Sequence, residues 1–227
     1  ASPATIACDI SHIRAVLRSA KALYEIDVNA SSIVEAMPTL RILGLIGKSN
    51  IRTRRPSKVE IKKLKKGLTT RQDHTYSTIP FTDILDFSIL SCMRISEVCS
   101  IVWDDLNTEE SWVWVRNRKD PRKKIGNHMK VPLLGGALKI ALRQKRDKKD
   151  NRIFPYNPRS ITAGFQRVRN ELKIRDLRYH DLRREGASRL FELGYSVDQV
   201  AQVTGHKDLN TLWRIYTDLN PDRFIEK

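Results

Sequence analysis

Cysteine is scarce in this chain. Cys8, Cys92 and Cys99 are the three present, an odd number with no C-x-x-C spacing. That argues against a disulfide framework and against a thiolate zinc site, and it fits a reducing cytosol. No apolar run reaches the ~18 residues of a membrane span. The N-terminus lacks the basic-then-apolar pattern of a signal peptide. No internal repeat is visible. Acidic residues are in deficit: 26 Asp and Glu stand against 42 Lys and Arg, a net charge of +16. Such an excess speaks about partners rather than fold and favours a polyanion, although ribosomal and cationic secreted proteins share it. The 227 residues suffice for one full core plus a smaller unit.

The pattern along the chain is mostly helical. Over residues 3–47, apolar residues recur at three- and four-residue spacing, as in Ile6, Ile10, Ile13 and Leu17, with Ser2-Pro3 as the entry. Residues 49–57 are polar and aperiodic, with Arg52, Arg54, Arg55 and Pro56, and read as a linker. A basic helix is expected over 58–67, ending at Gly67. Another is expected over 80–91, and a second begins after Arg94. Trp112–Val115 and Met129–Leu133 read as strands. Between them runs a loop rich in positive charge, with Arg118, Lys119, Arg122, Lys123 and Lys124. Helices are then expected over 135–149, 159–172, 181–193, 196–203 and 208–216. Ser196 with Gln199 gives a capping box, and Asp208 a further N-cap.

Several chemically competent side chains fall in a fixed order. Arg94 lies in S-C-M-R-I-S-E-V. His180 and Arg183 lie in H-D-L-R. Gly205-His206 follows 22 residues after Arg183, and Tyr216 ten residues after His206. Cleaving a phosphodiester needs a nucleophile, a grip on the non-bridging oxygens and a proton for the leaving oxygen. Tyrosine can attack if its phenol, with a reference pKa of about 10, finds a base or positive surroundings. Arginine holds phosphate with a planar fork that never deprotonates. Histidine or lysine can move the proton. Singly, each residue has an ordinary role: Tyr216 a packed aromatic, the arginines surface or capping groups, Gly205-His206 a helix end. His180-Asp181 could also suggest a metal ligand pair, but no second such pair supports it. Only the conjunction points to chemistry.

In these motifs the chain resembles the tyrosine recombinases of the phage integrase family. The matching residues are Arg94 in M-R-I-S-E-V, His180 and Arg183 in H-D-L-R-R, His206 in T-G-H-K-D and Tyr216 in W-R-I-Y. Lys119 falls where that family keeps a mobile catalytic lysine, in the loop before V-P-L. The resemblance implies a mainly α catalytic fold with a small antiparallel β-sheet over 58–227. It also implies a 49–57 linker, and a C-terminal remnant of a helical core-binding domain over 1–48. Tyr216 would form a 3′-phosphotyrosine. Arg94 and Arg183 would clamp the phosphate, and Lys119 would protonate the departing 5′-oxygen. His180 would assist proton transfer at the nucleophile, and His206 would hydrogen-bond the phosphate. Glu97, one turn after Arg94, would buttress the site.

No metal and no cofactor are implied. The expected partner is double-stranded DNA, gripped through Arg52, Arg54, Arg55, Arg118, Arg122, Lys123 and Lys124. The protein would be a monomer when free and a tetramer in synapsis. It would be cytoplasmic, nucleoid-associated, and bacterial or phage-encoded. The family commonly has glycine two residues before its first arginine, where this chain has Cys92. Three other readings remain: a type IB topoisomerase, which usually carries lysine where His180 stands, an inert DNA-binding protein of the same fold, and, weakest, a non-enzymatic basic structural protein.

Overall fold

Ser2 and Pro3 open the first helix, α1 (Pro3–Tyr24), as their sequence suggests. Ser2 Oγ accepts the Thr5 amide at 3.2 Å, and Pro3 brings a φ already suited to the first turn. A second helix follows, α2 (Ser31–Ile42), and Gly47 N–H returns to Pro3 O at 3.2 Å. The computed structural model describes residues 1–50, 52–73, 78–119, 125–210 and 212. The chain divides into two units, Ala1–Arg52 and Thr53–Lys227. Neither helix of the first unit buries a residue fully, and Ile13, Val16, Leu23 and Ile42 are exposed.

The second unit begins with a reciprocal cap. Ser57 N–H donates to Glu60 Oε2 at 2.7 Å, and Glu60 N–H to Ser57 Oγ at 3.1 Å. The helix α3 (Lys58–Gln72) does not stop at Gly67 as expected. Gly67 is a contact, not a terminator: a Cβ there would lie 2.6 Å from Val168 Cγ1 on helix α7 (Pro158–Glu171). The sequence shows a glycine in either case, and only the neighbour distinguishes the two uses.

The centre of this unit is α4 (Phe81–Ser91), with seven of its eleven residues buried. A helix apolar on most sides must be enclosed, and α3 and α7 cover one side through Leu64, Leu68, Phe165 and Val168. On another side α8 (Asp181–Glu192) crosses so closely that a Cβ on Gly186 would meet Ile89 O at 1.9 Å. After a short helix α5 (Ile95–Val98) come three antiparallel strands in the order β1 (Leu106–Asn107), β2 (Trp112–Val115) and β3 (Met129–Pro132). Val113 pairs with Val131 on the core face and Trp114 with Lys130 on the outer face, the two-residue alternation of a half-buried sheet. Lys130 Nζ sits 4.2 Å from the Trp112 ring centroid, a cation–π contact.

The helix expected over 135–149 is shorter: α6 covers Ala137–Leu142. Gly135 and Gly136 have positive φ and set its start, and the run Lys145-Arg146-Asp147-Lys148-Lys149 has no apolar stripe to hold a helix down. Helix α9 (Val197–Thr204) starts as expected, with Ser196 N–H on Gln199 Oε1 at 2.9 Å, and the helix expected over 208–216 lies mostly outside the described residues. The fold is mainly α with one small antiparallel sheet. Among the described residues no helix is long and apolar enough to cross a membrane.

Candidate active site

Cys92 ends α4 in the left-handed region, at φ 52°. Glycine usually takes that conformation because a side chain strains it. Here the Cys92 side chain is wholly buried, so packing holds it there. The turn delivers Arg94 to the start of α5, where its N–H donates to Glu97 Oε2 at 3.0 Å and its Nη1 to Glu97 Oε1 at 2.7 Å.

Glu97 is buried and surrounded by guanidinium groups. Arg118 donates from Nε to Oε1 and from Nη2 to Oε2, each at 3.3 Å, and Arg183 Nη1 lies 3.9 Å from Oε2. Burial pushes the Glu97 carboxyl up, but Arg118, Arg94 and Arg183 outweigh it and hold the group below its ordinary pKa. Three guanidinium groups therefore gather on one carboxylate, surroundings that favour an oxyanion at the mouth.

Arg183, in the first turn of α8, is 2% exposed. Its Nη1 donates to Cys92 O at 2.6 Å and its Nη2 to Thr204 O. It therefore ties the end of α4 to the end of α9. Gly205, at φ 73°, turns the chain after α9 and places His206 beside Thr204, with Nδ1 2.7 Å from Thr204 Oγ1. Thr204 Oγ1 donates to Val200 O at 2.7 Å, so it can accept from Nδ1–H, a tautomer set by the network. Burial, then Arg183, Arg94 and Arg118, pushes the His206 pKa down to about 3. His180 caps α8 at the rim. Incomplete solvation, followed by the Arg183 and Arg94 charges, lowers its pKa as well.

The charges of Arg94 and Arg183 thus act on both His180 and His206. Lys119 is exposed, next to Arg118. Tyr216, Arg122, Lys123 and Lys124 lie outside the described residues. Two residues expected on DNA are placed differently. Arg118 is 1% exposed and bound to Glu97 and to Val203 O. Arg55 pairs with Glu185 at 3.0 Å and Glu192 at 2.8 Å, so its charge is neutralised inside the unit. Arg54 is half-buried against Glu60. Sequence reading names Arg118 for DNA contact rather than for this inner place beside Glu97, and it gives Thr204 no role. Among the described residues no three His, Cys, Asp or Glu side chains are grouped as metal donors.

The model of the phage integrase family matches residues 58–223. A shufflon-specific DNA recombinase of Escherichia coli is 28% identical over 145 residues, covering 63% of this chain and 36% of that protein. The chain spans less than half the length of the curated relatives it matches. Among solved structures, a Tn1549 transposon integrase in complex with transposon right-end DNA superposes with a TM-score of 0.66 at 14% identity, covering 96% of this chain and 76% of that one. A lambda integrase tetramer bound to a Holliday junction gives 0.63 at 16% identity, covering 93% and 59%. At these identities the structures speak for the fold.

Proposed function

The chain belongs to the phage integrase family, and from that premise we propose that it cleaves and rejoins DNA at specific sites through a 3′-phosphotyrosine intermediate. The observation that carries the reading is the Glu97-centred cluster, with Arg94, Arg118 and Arg183 on one carboxylate and two histidines at its edge. Such a preorganised positive site suits charge that develops on a phosphate during attack.

In this reading the Tyr216 oxygen attacks phosphorus and the bond to the 5′-oxygen breaks. His180 takes up the phenol proton, and Lys119 gives one to the leaving oxygen. Arg94, 26% exposed at its side chain, meets the non-bridging oxygens directly, while Arg183 adds its charge from beneath. The phosphodiester energy is kept in the tyrosyl link, and a free 5′-hydroxyl reverses the step on a partner strand. The relatives and the DNA-bound structural neighbours support double-stranded DNA as the partner and assembly into multimers on it; on this reading the chain is a monomer when free and a tetramer in synapsis. Relatives such as the Escherichia coli recombinase support a bacterial or phage-type protein; action at the nucleoid is part of the proposal. Residues 58–227 act as the catalytic domain, 49–57 as its linker, and 1–48 as helices of a core-binding domain.

The test is covalent capture. Nicked duplexes of randomised sequence are offered to the chain, and protein–DNA bands that survive denaturant are collected. The unaltered chain should give a band and Tyr216→Phe none, since only the hydroxyl is lost. A band of equal intensity from the variant would refute the nucleophile. Relaxation of supercoiled DNA at any sequence would favour a topoisomerase instead.

A further inference from the structure

We propose that Arg118 is a positioning residue for the leaving-group lysine: it pins the root of the loop to the carboxylate beneath the phosphate site, so that Lys119 leaves from a fixed point. The inference rests on the strand-cleaving reading above.

Arg118 is the largest fully buried side chain among the described residues. Burying a guanidinium is costly unless it is well partnered, so its position needs a reason. It holds Glu97 with two bonds at 3.3 Å and Val203 O with a third at 3.1 Å. Its plane lies against Gly205: a Cβ there would meet Cζ, Nε and Nη1 at 2.6 Å each. The glycine before His206 therefore makes room for this side chain as well as supplying the turn. One arginine touches the carboxylate under the clamp, the end of α9 and the turn that carries His206.

The backbone at Arg118 is also held. Its N–H donates to Asn127 O at 2.7 Å, and Asn127 Nδ2 donates to Arg118 O at 2.7 Å. Just outside, Asn117 Oδ1 accepts from Gly126 N–H at 2.9 Å, and Asn117 N–H donates to His128 Nδ1 at 3.1 Å. These bonds close a neck at the base of the loop. Lys119 is the first residue beyond it. Lys123 and Lys124 stand four and five residues farther along the sequence from that fixed point. The anchoring selects Lys119 among the three lysines for a task that needs a defined distance to the leaving oxygen.

The experiment compares two scissile linkages in a nicked duplex taken from the capture pool. One has the ordinary bridging 5′-oxygen; the other has a bridging 5′-sulfur, which leaves without a proton. Arg118→Met keeps bulk and removes the fork. Arg118→Lys keeps charge without the two-pronged geometry. Both should slow cleavage of the oxygen linkage by about 10²-fold, the lower range for a lost general acid. Both should recover on sulfur, as Lys119→Ala does. Amide exchange at residues 118 and 127 should quicken in both variants. If the Arg118 variants are equally slow on both linkages while Lys119→Ala is rescued, Arg118 serves the clamp or the fold and the proposal is overturned. If Lys119→Ala is not rescued although the unaltered chain forms an adduct, the lysine assignment falls and this proposal with it. If the unaltered chain forms no adduct on any duplex, the reaction itself has been misread. Should Arg118→Met not fold, Arg118→Lys carries the same comparison.

Discussion

Replacing Glu97 with glutamine removes one charge and almost no volume. Its carboxylate accepts from Arg94 at 2.7 and 3.0 Å and from Arg118 at 3.3 Å, with Arg183 at 3.9 Å. An amide keeps one acceptor but turns an NH₂ toward guanidinium donors. Three cations would then face one another with no anion between them. Breaking a buried pair by removing one partner costs about 3–5 kcal/mol, and the same range is expected for Glu97→Gln. Urea unfolding followed by tryptophan fluorescence measures it, because all four tryptophans lie in the second unit.

The pH dependence has a definite sign. The Glu97 pKa is lowered on folding, so its contribution is complete above the unfolded value of about 4.3 and is lost as pH falls through the folded value. The gap between the two proteins should therefore close in acid. Inorganic phosphate should stabilise the variant, by about 2.7 kcal/mol at a hundredfold excess over its Kd, and the unaltered chain by less. A loss below 1 kcal/mol at neutral pH, or no response to phosphate, would refute the view of Glu97 as the counter-charge of the site.

Arg94→Ala and Arg183→Ala should each lower single-turnover cleavage about 10²–10³-fold. Only Arg183→Ala should also cost clear stability, because it strips two carbonyls, at about 1–3 kcal/mol each; equal urea midpoints would contradict this. Gly186→Ala should destabilise the second unit by about 3 kcal/mol or more, because the added carbon meets the Ile89 backbone oxygen; a near-neutral midpoint would show that α4 and α8 can part cheaply. His206 is depressed to about 3, so its contribution is complete above the unfolded value of about 6.5 and declines as pH falls from there. Ring-carbon NMR should show a neutral imidazole at pH 5, and a midpoint near 6 would overturn that burial argument.

The helices over 80–91 and 159–172 and both long strands were legible because period alone reveals them. Gly67 was not, since a glycine gives the same letter whether it ends a helix or receives a neighbour. Arg118 was expected on DNA, and its burial was hidden for a reason of parity. Val113 and Val115 point inward, so alternation puts residue 117 inside and 118 outside. Asn117 is instead left-handed, at φ 46°, and shifts the alternation by one, so that Arg118 turns into the core. The clamp pair, the histidines and the buttressing Glu97 could be named from motif order, but the bonds from Arg118 to Glu97 could not, because nothing in sequence spacing joins the two.

Arg55 stands two residues after the start of the second unit and holds Glu185 and Glu192, both on α8. Tension arriving along the chain at Thr53 is thus received by ion pairs on the helix that carries Arg183, before it can peel Ser57 from its cap. The anchorage is buried, with 14% of the arginine side chain exposed, so salt weakens it little. As a mechanical element it makes α8 the root on which the unit is pulled, and a load on the linker becomes shear between α8 and α4, at the Gly186 crossing where the two backbones already touch.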